Sequence, residues 1–140
     1  MYKKILVAND GSEHALKAVR KAIVIARETD AELWCISVEE HLPHYAATVG
    51  EVLEEKLEQN GYFRKIYSGL IEEAMKEGVK LNVKITPGHE VETIIKYAKQ
   101  EKFDLLIIGF MGHSKIFGTV MGSTANTIVR LSPCDVLVVR

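Results

Sequence analysis

Four glycines, a serine, a threonine and one aspartate carry most of the chemical promise of this sequence. Gly109, Gly112, Gly118 and Gly122 punctuate a segment that starts as an apolar run, Leu105-Leu106-Ile107-Ile108, opened by Asp104. Ser123 and Thr124 follow the last of these glycines, and a helical pattern follows them. A strand that empties through glycines into a helix suits a phosphate group. Glycines let backbone N–H groups approach an anion closely, and the first helical turn leaves N–H groups unpaired at the positive end of the dipole. Ser123 would stand near that terminus and can donate to a phosphate oxygen beside the N–H groups of Gly122 to Thr124. The same pattern also suits a glycine-rich surface loop closed by an ordinary Ser/Thr cap. His113 and Lys115 lie within the loop, where each could counter phosphate charge or stand as a solvated side chain.

Asp10 is the second candidate. It sits in Asn9-Asp10-Gly11-Ser12, directly after the apolar run Ile5-Leu6-Val7-Ala8. A carboxylate at the carboxyl end of a strand can accept from an adenine amino group or a ribose hydroxyl. It can equally be the turn residue of an Asp-Gly-Ser sequence. The two candidates reinforce one another, because ATP needs a nucleoside contact and a phosphate contact in one crevice.

Several chemistries are excluded by spacing. The chain has no Gly-Lys-Ser/Thr and so no P-loop, and Gly109-Phe110-Met111-Gly112 lacks the spacing of a dinucleotide fingerprint. No Ser-His-Asp set, nucleophilic Cys-His pair or supported carboxylate pair can be assembled. No second acid near the loop offers the Mg²⁺ carboxylate of efficient phosphoryl transfer. His41 and His44 are three residues apart in a stretch broken by Pro43 and Gly50, with no further ligands at metal spacing.

The elements that must position these residues follow from periodicity. Strands are expected at 3–8, 32–38, 80–86, 104–108 and 136–139. Helices are expected from Ser12, a good N-cap, to about Thr29; over 62–77, ending at Gly78; over 90–101; and from Gly122 or Ser123 to Ser132-Pro133. The Asn60-Gly61 pair predicts a turn that separates a short helical segment at 50–59 from the helix at 62–77, with Phe63, Ile66, Tyr67, Leu70, Ile71, Ala74 and Met75 inward. One long helix tolerating Gly61 is the alternative, at a cost of about 1 kcal/mol relative to Ala. The third strand alternates apolar and polar residues, which suits an edge. Strands alternating with helices define an α/β domain with a parallel sheet and right-handed crossovers. Ligands of such sheets bind beyond the strand carboxyl ends, where strand order reverses. Order 3-2-1-4-5 would make strands one and four neighbours and open both candidate loops onto one crevice.

Length and composition agree with one domain spanning 1–140. A chain of 140 residues buries about two-thirds of its unfolded surface. A net charge of −1 argues against a nucleic-acid partner. No apolar run approaches the ~20 residues that span a bilayer, and the N-terminus has no signal-peptide pattern. Cys35 and Cys134 read as reduced thiols in or beside apolar runs, so the expectation is a cytoplasmic protein without a membrane partner.

Three landmarks in order carry a family resemblance. Gly109 and Gly112, separated by two residues, then nine residues, then Gly122-Ser123, match the G-2x-G-9x-G-(S/T) pattern of the ATP-binding universal stress proteins. The opening Ile5-Leu6-Val7-Ala8-Asn9-Asp10-Gly11-Ser12 resembles that family's first strand and turn. Ser132-Pro133-Cys134-Asp135-Val136-Leu137-Val138-Val139 resembles its last strand. The resemblance implies a five-stranded parallel sheet of order 3-2-1-4-5 with helices on both faces. It implies ATP as ligand, with Mg²⁺ or Mn²⁺ held mainly by the phosphates. Asp10 would contact the adenosine end, Ala8 would line the base, and Val38 would contact the adenine. Gly109, Gly112, Gly122 and Ser123, with Thr124, would hold ribose and phosphates. A homodimer is implied through antiparallel pairing of Val136–Val139, an apolar edge strand by the reading above. The chain departs from the family pattern at Phe110 and Met111, where small, polar or basic residues are common, and at Ala8 and Asp135, each in place of a frequent proline. The segment 39–61 is the variable part. The function implied is a regulatory ATP-binding role in stress response. The alternatives are a slow ATPase or nucleotidyl-transfer enzyme on the same architecture, and a nucleotide-independent dimeric interaction module.

Overall fold

The central apolar runs become strands covered on both faces, and each amphipathic segment becomes a helix that covers one. A computed structural model describes residues 1–40, 49–113 and 121–140, with 49–60 described by their backbone. Among the described residues the elements run β1 (Lys4–Ala8), α1 (Glu13–Thr29), β2 (Glu32–Glu39), α2 (Val49–Lys76), β3 (Leu81–Pro87), α3 (Glu90–Gln100), β4 (Leu105–Gly109), α4 (Ser123–Leu131) and β5 (Asp135–Val139). The sheet order is β3-β2-β1-β4-β5, and every pairing is parallel. The order therefore reverses between β1 and β4, whose register pairs Ile5 with Leu105 and Val7 with Ile107.

The strand period of two sorts side chains between two cores. Ile5, Val7, Leu33, Cys35, Leu105 and Ile107 face the side covered by α1 and α2. Leu6, Ile36, Leu106 and Ile108 face the side covered by α3 and α4. This double cover is why β4 reads as an unbroken apolar run. Asp104, the acid that opens the run, has a structural task. Its carboxylate accepts from the backbone N–H groups of Lys3 (2.9 Å) and Lys4 (3.1 Å) and pins the start of β1 beside β4.

Helix α1 lies close to the sheet because its inward face is built largely from alanines: Ala15, Ala18, Ala22 and Ala26, with Val19 and Ile23. Ser12 is its N-cap, with Oγ accepting from Ala15 N–H at 3.3 Å. The predicted break at Asn60-Gly61 is absent, and α2 runs unbroken from Val49 through that pair to Lys76. Local turn propensity loses because Phe63, Tyr67, Leu70 and Ala74 recur at helical spacing and are all buried, which holds the helix on the sheet. Met75, expected inward, is instead 68% exposed. Gly78, at φ +76°, ends the helix as expected, and Val79 N–H reaches back to the Ala74 carbonyl at 2.9 Å. β3 stands at the sheet edge with a half-buried pattern. No described helix is long and apolar enough to cross a membrane. His41 and His44 lie outside the described residues.

Candidate functional site

The neighbouring carboxyl ends of β1 and β4 open onto one cavity of about 270 Å³. Of the residues expected at the site from spacing or from the family resemblance, Ala8, Asp10, Gly109, Gly112, Gly122, Ser123 and Thr124 all line it, as does His113. Val38 does not. It is partly buried against the core on the α3 and α4 side. Ser114 and Lys115 lie outside the described residues. The sequence reading did not single out Glu90, Ile108 or Met111 as contributors to this lining. Apolar periodicity could have suggested Ile108 at the last inward position of β4. Glu90 carried no signal, since an acid in the first turn of a helix is common.

The β1–α1 turn is held by its own side chains. Asp10 Oδ1 accepts from Ser12 N–H and Asn9 Oδ1 from Gly11 N–H, both at 2.9 Å. Asp10 is thus the turn residue that the sequence allowed, and its other oxygen still faces the glycine loop. A Cβ added to Gly112 would stand 2.8 Å from Asp10 Oδ2. His113 joins the same two segments, with Nε2 donating to the Asp10 carbonyl at 2.7 Å. Behind the turn a buried network fixes the end of β1. The Ser37 hydroxyl donates to the Asn9 carbonyl and lies 2.6 Å from the Tyr67 hydroxyl of α2.

The glycine loop is anchored at both ends of its described part. Gly109 packs so tightly on α1 that an added Cβ would lie 2.8 Å from the His14 carbonyl carbon. Met111 N–H donates to His14 Nδ1 at 3.2 Å, and Met111 is buried. The Arg140 guanidinium lies 4.4 Å from the Phe110 ring centroid. The Phe110 N–H donates to the Val139 carbonyl at 2.7 Å, and Gly122 N–H donates to the Phe110 carbonyl at 2.8 Å. The two apolar residues that depart from the usual loop therefore act as its fastening: Met111 turns inward and Phe110 packs under Arg140.

Helix α4 begins differently from its neighbours. α1 has a side-chain cap and Glu13 in its first turn, and α3 has Glu90 and Glu92 in its first turn. The N-cap of α4 is Gly122, with no side-chain cap bond and no acid in the first turn. Among the described residues the N–H groups of Ser123, Thr124 and Ala125 meet no acceptor, so they and the positive end of the dipole suit an anion, with the Ser123 hydroxyl beside them. The Ser/Thr cap that the sequence also allowed is not formed.

The remaining charged feature is Glu90. Burial first, and the Asp10 and Glu40 carboxylates next, push its carboxyl from an ordinary 4.5 up to about 7, with His113 partly opposing. Among the described residues no group of three His, Cys, Asp or Glu side chains stands where it could hold a metal ion.

An open parallel sheet with a glycine loop and a bare helix N-terminus at its switch point defines the class: a Rossmann-like α/β domain with a ligand crevice beyond its strand ends. Within that class the chain belongs to the universal stress protein family, whose family model matches residues 1–140. It is 32% identical over 143 residues to universal stress protein MJ0531 of Methanocaldococcus jannaschii, covering all of this chain and 83% of that protein. Its fold matches that of UspA from Lactobacillus plantarum with a TM-score of 0.89 at 28% identity, covering 99% of this chain and 98% of that one. It also matches a universal stress protein solved in complex with cAMP, with a TM-score of 0.76 at 28% identity, covering 99% and 97% of the two chains.

Proposed function

We propose that the cavity between the β1–α1 turn and the N-terminus of α4 binds ATP, and that this protein is a nucleotide-responsive regulator of stress response. The observation that carries the reading is the uncapped, acid-free start of α4 at Gly122-Ser123, opening on the same cavity as Asp10. Gly122, Ser123 and Thr124 would hold phosphates, Gly109 and Gly112 would let the backbone approach the ribose and phosphates, and Asp10 would accept from the nucleoside. Ala8 and Ile108 would line the apolar part. Val38 is assigned no contact. A Cβ at Gly112 would crowd Asp10 Oδ2 at 2.8 Å, so the glycine lets the loop backbone lie against the β1–α1 turn beside the cavity. Mg²⁺ or Mn²⁺ would arrive on the phosphates. The cAMP complex of a relative supports an adenine nucleotide as the ligand class.

The regulatory part rests on connectivity. Phe110 links the glycine loop to β5 through Val139, so a nucleotide that rearranged the loop would change the support of the sheet edge. A switch needs only that the nucleotide favour one arrangement over the other.

Mass spectrometry of nucleotide carried through purification, with thermal unfolding in the presence of millimolar ATP and Mg²⁺, tests the reading. ATP at about 100 times its Kd adds about 2.7 kcal/mol of stability. Absence of any co-purified adenine nucleotide together with an unchanged Tm would sink it.

A further inference from the structure

An acid stands where the cavity is read as receiving phosphate, and its placement demands a physical reason. Glu90 opens α3 and Thr124 belongs to the first turn of α4. Both line the main cavity, and both line the apolar groove that adjoins it. The Glu90 side chain is therefore part of the wall beside the helix start that would hold the anion. Asp10, from the β1–α1 turn, and His113, from the glycine loop, line the same cavity. Glu40, following β2, accepts the Glu90 backbone N–H at 2.9 Å. The first turn of α4 contributes no acid. Two carboxyl groups, Asp10 and Glu90, thus share the cavity wall with one imidazole, with Glu40 in the adjoining groove, and like charges so placed resist simultaneous ionisation. Burial first, then the Asp10 and Glu40 carboxylates, with His113 partly opposing, hold the Glu90 carboxyl up to about 7.

We propose that Glu90 is a specificity-determining residue of this site: as a neutral carboxyl it donates a hydrogen bond to the bound nucleotide, and as a carboxylate it opposes the nucleotide's charge, so that occupancy is linked to proton uptake. The proposal rests on the nucleotide reading of the cavity and deepens it. A protonated carboxyl has one O–H donor, whereas the ionised form has acceptors only. Arrival of a polyanion disfavours the ionised form further, so the bound state holds the proton to higher pH than the free state. Below the titration range of the free protein the carboxyl is already neutral and binding takes up no proton there. Above that range each nucleotide must bring a proton to Glu90, and affinity falls by up to about tenfold per pH unit until the bound state also ionises. The penalty grows with ligand charge, so ATP loses more affinity than AMP as pH rises.

The test is calorimetric titration of the wild-type protein and Glu90→Gln with Mg-ATP from about pH 6 to 8.5, each pH in two buffers of different ionisation enthalpy. The amide keeps a donor and cannot titrate. The wild type should lose about tenfold in affinity across that range and take up protons on binding near neutral pH. Glu90→Gln should lose less affinity across that range and take up fewer protons than the wild type, by up to one per nucleotide. Binding by both proteins with the same pH profile and the same proton uptake overturns the role of Glu90 and leaves the cavity reading standing. Failure of ATP to bind either protein at any pH overturns both. Should Glu90→Gln fail to fold, proton uptake by His113→Gln at about pH 7.5, where the phosphate is already ionised, decides alone: uptake supports the proposal and none overturns it.

Discussion

Gly109 and Gly122 are both glycines of one loop, yet different constraints act on them. At Gly109 the constraint is packing. An added Cβ would meet the α1 backbone at 2.8 Å from His14 C and 2.9 Å from Ala15 N, and neither atom can swing away. Gly109→Ala should therefore cost about 1–3 kcal/mol of stability, read as a lowered Tm without ligand. At Gly122 the space is ordinary, with the nearest atom 3.4 Å away, and the backbone is extended at φ −60° and ψ 151°. A serine fits there and is a better N-cap than glycine. Gly122→Ser should raise the Tm slightly, worth a few tenths of a kcal/mol, while its hydroxyl occupies an N–H group offered to phosphate. The expected outcome is a more stable protein that binds ATP about tenfold more weakly, by thermal unfolding and titration of the same samples. Equal ATP affinity in Gly122→Ser and wild type would show that the start of α4 does not hold the phosphates.

Among the elements, α2 shows tertiary packing overriding a local signal. Asn60-Gly61 has turn chemistry, but the buried stripe from Phe63 to Ala74 is worth more than the turn preference of two residues. Gly61 and Gly69 both lie in the helix interior with nothing within 4 Å of an added Cβ. Neither is there for space, so each still carries the entropic cost of glycine. Gly61→Ala and Gly69→Ala should each stabilise the protein by about 0.5–1 kcal/mol, read from denaturant midpoints with an unchanged m-value. A loss of stability in either variant would mean that the helix interior does not extend through that position. The same helix reaches the site through Tyr67, whose hydroxyl meets Ser37, which in turn holds the Asn9 carbonyl next to Asp10. A long helix remote from the cavity thereby fixes the turn that lines it.

For the whole molecule the two sheet edges differ in how they meet solvent. β3 has an exposed Lys84 and ends in Pro87, features that discourage pairing with another chain. β5 has Asp135 followed only by Val136, Leu137, Val138 and Val139, and the first three of these are only half covered. We propose that a second copy pairs with this edge in antiparallel fashion. Sedimentation velocity at micromolar concentration should then report twice the chain mass of 15.7 kDa. A single species at the chain mass would overturn the pairing. Because β5 is hydrogen-bonded to the glycine loop at Phe110, any effect of nucleotide on the pairing of copies would be matched by an equal effect of pairing on nucleotide affinity, as linkage requires of coupled sites.

Sequence alone determined the α/β alternation, the placement of nearly every strand and helix, and the two loops that open on the cavity. It did so because a period of two, a period of 3.6 and glycine punctuation are local properties written in side-chain type. The strand order was legible through the family pattern, and its physical basis appears only in the fold, where Asp104 clamps β4 to the start of β1. Continuity of α2 through Gly61 was decided by burial of a stripe on a sheet that a local window does not contain. The dual use of Asp10, one oxygen closing its turn and the other facing Gly112, was decided by two segments about a hundred residues apart meeting at the switch point. Glu90 shows the difference most sharply. In the sequence it is a routine first-turn acid, and only its burial in the fold, with Asp10, Glu40 and His113 brought near it, makes its charge depend on its surroundings, because electrostatic environment is a property of distance in space and not along the chain.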